Sequence, residues 1–184
     1  MMGFSISLDG CIASTEREDA GLHDWLFAGG TPVEVAGTRF MADSAQSVRV
    51  FEEVVGALGA VIVGRTAFGE GDEPFFDLPT FVLTTREPPP RSSDKVTYVS
   101  GGIERALELA TAAAGAKQVN VFGGASTARQ YLAAGLVDEL RLTVVPILLG
   151  DGLRLFGPDP ARRTAEIVGV VPAPTVTHLH LRLK

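Results

Sequence analysis

The 184 residues are 46% hydrophobic and include 21 glycines and 11 prolines, which is apolar enough for the core of one domain and too apolar for a disordered chain. Sixteen basic against 22 acidic residues leave a net charge of −6, and the longest basic block is Arg162-Arg163, so nucleic acid and anionic membrane are poor partners. The single cysteine, Cys11, excludes an internal disulfide and fits a reducing, cytoplasmic setting.

Residues 3–8 form an apolar run that ends on the turn pair Asp9-Gly10. This opening lacks a basic stretch and meets Asp9 too early for a secretory signal. Elsewhere no apolar run approaches the roughly 18 residues of a membrane span. Residues 9–40 show little periodicity, with glycines scattered around Trp25, the only tryptophan; a stretch of that kind predicts a functional loop or lid. Over 43–58 the spacing of Val48, Phe51, Val55 and Leu58 predicts a helix, capped by Asp43 or Ser44 and ended by Gly59. Three β-rich runs follow at 60–63, 80–84 and 96–99, the second closed by Arg86-Glu87 and Pro88-Pro89-Pro90. Residues 103–114 predict a helix with Ile103, Ala106, Leu107 and Ala110 on one face. A strand at 119–122 then runs through Gly123-Gly124 into a helix from about Ser126 to Ala134, stopped by Gly135. The chain closes with a strand over 138–149, broken at Pro146, and a hairpin of 165–171 and 175–183.

Strands alternating with helices imply parallel crossovers, and the final strands imply an antiparallel edge. The expectation is one three-layer α/β domain over 1–184, without internal repeat or linker. Ligands of such a sheet bind outside the carboxyl ends of its strands. Four short segments therefore matter: Asp9-Gly10, Gly64-Arg65-Thr66, Thr85-Arg86 and Gly123-Gly124. Two arginines, hydroxyls and glycine turns meeting in one crevice suit phosphate groups. In Gly123-Gly124-Ala125-Ser126-Thr127 a strand enters a helix through two glycines, so backbone N–H groups and the positive helix end face one point. An ordinary strand-to-helix turn accounts for the same residues. Arg65 carries a planar donor fork, with Thr66 beside it, and Arg86 offers a second; pairing with a surface carboxylate is the plainer role for either. Asp9 suits a substrate amine or, in an Asp-Gly pair, the turn itself. His178 and His180 lie two apart without a third ligand nearby, which argues against a metal site. Cys11 has no adjacent base and reads as a packing residue. The chain has no Gly-x-Ser-x-Gly, His-Glu-x-x-His or Gly-Lys-Ser/Thr motif, which excludes the corresponding hydrolases, zinc proteases and P-loop proteins.

Taken in order, Ser7-Leu8-Asp9-Gly10-Cys11-Ile12-Ala13, Val63-Gly64-Arg65-Thr66-Ala67-Phe68, Leu83-Thr84-Thr85-Arg86 and Val121-Phe122-Gly123-Gly124-Ala125-Ser126 resemble the dihydrofolate-reductase-like superfamily. Leu136-Val137-Asp138-Glu139-Leu140 and Pro146-Ile147-Leu148-Leu149-Gly150-Asp151-Gly152, with Leu155-Phe156, point to the branch of the riboflavin-biosynthesis reductase domain and its stand-alone relatives. That resemblance implies NADPH bound across the strand ends and a homodimer. Gly64, Arg65 and Thr66 would hold phosphate groups, Thr85 and Arg86 the adenosine 2′-phosphate, and Gly123, Gly124, Ala125, Ser126 and Thr127 the pyrophosphate. Asp9, as the catalytic position, and Ile12 would border the nicotinamide; Trp25 would cover the substrate. Two positions differ from the family pattern. Counting back from Gly64, the place of the folate reductases' acidic helix residue falls near Val48, with Glu52, Glu53 and Asp43 close by; Phe122 stands where riboflavin-pathway reductases carry Glu. The expected activity is hydride transfer from NADPH to a small, cyclic or heteroaromatic molecule. The alternatives are reduction of a ribosylaminouracil and dinucleotide binding without turnover.

Overall fold

The computed structural model describes residues 1–16, 20–69, 71, 73–88, 93–157 and 163–184. Pro89, Pro90 and Arg162, named above, lie outside them. In chain order the first half runs β1 (Met2–Ser7), β2 (Cys11–Ser14), α1 (Asp24–Phe27), β3 (Thr31–Val35), β4 (Thr38–Ala42), α2 (Ala45–Gly56), β5 (Leu58–Gly64), α3 (Arg65–Phe68), β6 (Thr80–Leu83) and β7 (Val96–Val99). The second half runs α4 (Gly102–Ala114), β8 (Gln118–Gly123), α5 (Ala125–Ala133), β9 (Glu139–Val145), β10 (Gly152–Arg154), β11 (Ala165–Pro172) and β12 (Thr177–Leu183).

In β5, Ala60, Val61, Ile62 and Val63 are all fully buried, the signature of a strand covered on both faces. Parallel pairing surrounds it, Val61 lying opposite Thr80 of β6 and Asn120 of β8. The eight-stranded sheet has the order β11-β12-β9-β1-β8-β5-β6-β7, with β9 to β7 parallel and β12 and β11 antiparallel at one edge. On one face Ala106 and Ala110 of α4 and Ala128 and Tyr131 of α5 pack against Met2, Ile62 and Val121. Small alanines let α4 lie close to the sheet, and the Tyr131 hydroxyl donates to the Ile103 carbonyl at 2.7 Å, tying α5 to α4. On the other face Phe51 and Val55 of α2 pack with Trp25, Val33 and Phe40. Ser44 caps α2, its Oγ accepting from the Ser47 amide at 3.2 Å. The expected three layers and antiparallel edge are therefore present. Among the described residues no helix is long and apolar enough to cross a membrane.

The main departure lies in 9–40, expected as a loop. It contains β2, which pairs with β10, the helix α1, and the hairpin β3–β4. Val33, Val35 and Phe40 alternate around a turn in which Ala36 and Gly37 hold φ of 50° and 76°, the left-handed pair that short hairpins require. Ala-Gly is a weaker turn signal than Asn-Gly, and strands of five residues leave little periodicity to read. Two boundaries also shift: α2 ends at Gly56 rather than Gly59, and β9 ends at Val145.

Candidate functional site

Because β8, β5 and β6 are adjacent and parallel, the turns that leave their carboxyl ends lie side by side. The first two touch: a Cβ on Gly64 would lie 2.5 Å from Thr127 Oγ1, and one on Gly123 would lie 3.3 Å from the Ala67 Cβ. Both positions need glycine for this approach. Gly124 enters α5 with φ of 51° and has no side chain to cap the helix, so the first amides of α5 point outward. In the third turn Thr84 Oγ1 accepts from the Arg86 amide at 3.0 Å, which folds Thr85-Arg86 back toward the others. The Arg65 guanidinium lies over the Tyr98 ring, 5.8 Å from its centroid, a cation–π contact that pre-orients it. Glycine, backbone amides and arginine forks form a cradle suited to the phosphates of a dinucleotide.

These turns open into one cleft of about 1370 Å³, larger than the roughly 300–1,000 Å³ that one small ligand fills. Gly64, Arg65, Thr66, Thr85, Arg86, Gly123, Gly124, Ala125, Ser126 and Thr127 all line it, as do Ile12, Trp25 and Phe122. Trp25 does so as a fixed wall rather than a loose cover. It is 8% exposed, its Nε1–H donates to Ser5 Oγ at 3.0 Å, and it meets His178 and Phe51 edge to face.

Asp9, expected as the catalytic position, stands outside the lining. Its carboxylate accepts from Ser7 Oγ at 2.6 Å and from the amides of Leu149 and Gly150 at 3.1 and 2.7 Å. The turn role prevails: Asp9 pins the 147–150 segment to the end of β1, and Leu8 N bonding to Ile147 O at 2.9 Å completes the join. The Ser7 hydroxyl first, then the Leu149 amide, hold the carboxyl down to about 2 from an ordinary 3.8. A depressed carboxyl stabilises the fold above its ordinary value and ceases to do so as pH falls through the folded one. In acid titrations followed by circular dichroism, the wild type should therefore lose more stability between 3.8 and about 2 than Asp9→Asn; parallel curves would remove this role.

Sequence reasoning missed the polar row beneath α2. Register places Ser5, Thr143 and His178 side by side on β1, β9 and β12. His178 is 4% exposed and bridges Ser47 Oγ and Thr143 Oγ1, each at 2.9 Å. Burial pushes its imidazole below the ordinary value, so it is neutral at pH 7. His180 contacts Glu139 at 3.0 Å instead. Among the described residues no three metal-ligating side chains converge. Alternation along β12 put both histidines on one face; their partners come from distant segments and left no local signal.

The family model described as RibD C-terminal domain matches residues 1–179. Among curated proteins, the uncharacterized YwjB of Bacillus subtilis (strain 168) is 27% identical over 157 residues, covering 83% of this chain and 79% of its own. YyaP of the same organism, also uncharacterized, is 45% identical over a 40-residue stretch, 22% of this chain and 21% of its own. A Shewanella sp. PV-4 protein named for riboflavin biosynthesis superposes with a TM-score of 0.72 at 24% identity, covering 100% of this chain and 97% of that one. A Thermotoga maritima diaminohydroxyphosphoribosylaminopyrimidine deaminase/5-amino-6-(5-phosphoribosylamino)uracil reductase gives 0.63 at 14% identity, covering 98% of this chain and 55% of its own. These likenesses at the level of structure show a shared fold.

Proposed function

The chain belongs to the RibD C-terminal domain family, and from that premise we propose that it is an NADPH-dependent reductase that passes a hydride to a small cyclic or heteroaromatic molecule. The observation that carries the reading is the convergence of the three turns after β5, β6 and β8 on a single cleft. The residues fit the cofactor: the Gly64–Gly123 approach leaves a backbone cradle that a Cβ would fill, and Arg65 and Arg86 supply cations beside it. In this reading Gly123, Gly124, Ala125, Ser126 and Thr127 hold the pyrophosphate, Arg65 and Thr66 a neighbouring phosphate oxygen, and Thr85 and Arg86 the 2′-phosphate. NADPH, when bound, supplies the hydride; the protein orients the partners and excludes water. Ile12 and Trp25 flank the place where the two rings meet. Asp9 acts indirectly, by holding the loop that follows β9. A cytoplasmic setting belongs to the same proposal.

The test is titration with NADPH and NADH, followed by Trp25 fluorescence and by thermal melting. NADPH is expected to bind more tightly and to raise the melting temperature further, because only it offers Arg86 a second phosphate. Equal affinity for the two, or no binding, would overturn the reading. The family also favours a narrower one, reduction of a ribosylaminouracil, which a direct assay of NADPH oxidation with that molecule decides.

The proposal includes a homodimer. The outer strand β11 supports it, since Ile167, Val168 and Val170 are 67%, 42% and 51% exposed, an apolar run that a monomer leaves wet. Light scattering after gel filtration should give a dimer for the wild type and a monomer for Ile167→Asp/Val170→Asp. A monomeric wild type removes the dimer from the proposal.

A further inference from the structure

Alternation along β8 turns Asn120 and Phe122 to the same sheet face, beyond the anion turns, and both line the cleft. Phe122 belongs to an aromatic wall. The Phe75 ring lies 4.5 Å from it, centroid to centroid, and the Phe76 ring 5.7 Å away at a near-perpendicular angle. Phe76 meets Phe51 of α2 at 5.9 Å, and Phe51 meets Trp25 at 6.4 Å. These are the separations of favourable ring pairs. Phe76 and Asp77 hold φ of 53° and 57°, a conformation that residues other than glycine keep only when their surroundings enforce it. The surroundings do so: Lys95 Nζ grips the Asp77 carboxylate at 2.6 Å and its carbonyl at 3.0 Å, and Thr80 Oγ1 accepts from the Phe75 amide at 3.2 Å. The result sets Phe76 between Phe51 and Phe122.

The floor beside this wall is polar. Asn120 is 3% exposed, and its Oδ1 has no hydrogen-bond partner among the described residues. A buried acceptor without a donor is costly, and nothing from the next strand covers it. Gly3 has no side chain there, and a Cβ added to it would meet the Asn120 amide atoms first, at 3.6 and 3.7 Å. Across β1, on β9, Arg141 Nε is also buried without an acceptor among the described residues, while its Nη1 pairs with Glu53 Oε1 at 3.0 Å. The Arg141 charge is thereby matched. The other arginines of the cleft, Arg65, Arg86 and Arg129, belong with the anion turns.

We infer that this end of the cleft takes a neutral, flat ring bearing an amide edge: its face lies against Phe76 and Phe122, its N–H donates to Asn120 Oδ1 and its carbonyl accepts from Arg141 Nε–H. No unmatched cation among the described lining residues is available there for an anionic tail. The inference rests on the cofactor reading only in leaving this end for the second molecule.

Isothermal titration with naphthalene-2-carboxamide and naphthalene-2-carboxylate, alike in shape and different in charge, tests it on protein with and without saturating NADPH. The amide is expected to saturate one site and to bind at least about tenfold more tightly than the carboxylate. Phe122→Glu and Asn120→Leu should each weaken it by about tenfold or more. Should either variant fail to fold by circular dichroism, Gly3→Ala carries the test, because its Cβ meets nothing closer than 3.6 Å yet narrows the space beside Asn120. No saturable amide heat, equal affinity for the carboxylate, or indifference to the folded substitutions overturns the inference; the first is the result if a lone water satisfies Asn120. If NADPH itself fails to bind, the cofactor reading falls and the titration of cofactor-free protein judges this site separately.

Discussion

Arg65→Ala and Arg86→Ala are each expected to weaken NADPH binding by about 1.5–3 kcal/mol, a loss of roughly 10- to 150-fold, because each removes a hydrogen bond between charged groups. Their behaviour should differ in a way that maps the cleft. Arg65 is half-buried and its guanidinium lies over Tyr98, so little side-chain freedom remains to be lost on binding and the upper end of the range applies. Arg86 is exposed on the turn that Thr84 folds, so salt screens it and the lower end applies. With NADH in place of NADPH, Arg86→Ala should have no effect while Arg65→Ala keeps its full penalty, since only NADPH carries the 2′-phosphate. Equilibrium titration of both variants with both nucleotides gives the four affinities. An Arg86 variant that loses NADH and NADPH alike would move that side chain to another phosphate, and two unchanged variants would remove the cradle altogether.

Trp25→Ala should destabilise the fold by about 3–5 kcal/mol, the cost of deleting a large buried aromatic. For a chain of this size, that lowers the melting temperature by roughly 6–20 °C. The cost comprises the apolar area lost beside Phe51 and His178, the cavity left under α2, and a Ser5 hydroxyl that is 6% exposed and loses its donor. Trp25→Phe, which keeps a ring and loses only the Nε1–H bond, should cost about 1–3 kcal/mol. Urea unfolding at equilibrium separates the two. A tryptophan on a mobile lid would show neither effect, so an unchanged midpoint for Trp25→Ala would restore the lid and contradict the packing of α1 against α2.

The contrast between Trp25 and the anion turns shows where sequence reading succeeds. Gly64-Arg65-Thr66, Thr85-Arg86 and Gly123-Gly124 are local events: each follows an apolar run, and the rule that ligands sit at strand carboxyl ends brings them together without coordinates. Phe122 was legible in the same way, as the residue before a double glycine. Asp9 was legible as a turn residue, yet its choice of partners depends on amides about 140 positions away, at Leu149 and Gly150. No local pattern encodes such a pairing. The hairpin β3–β4 escaped because its two strands are too short to show a period, and its stability comes from packing on α2.

Periodicity and breakers, which are properties of neighbouring residues, determined the elements, the mixed sheet with its antiparallel edge and the three cleft turns. Tertiary structure alone decided that Trp25 is a wall, that Asp9 braces a loop, that Ser47 and Thr143 share a buried imidazole, and that Phe75 and Phe76 close on Phe122. Each of those depends on contact between segments far apart in the chain, and burial, which sets both the pKa of His178 and the cost of an unpaired Asn120, exists only after the layers have closed.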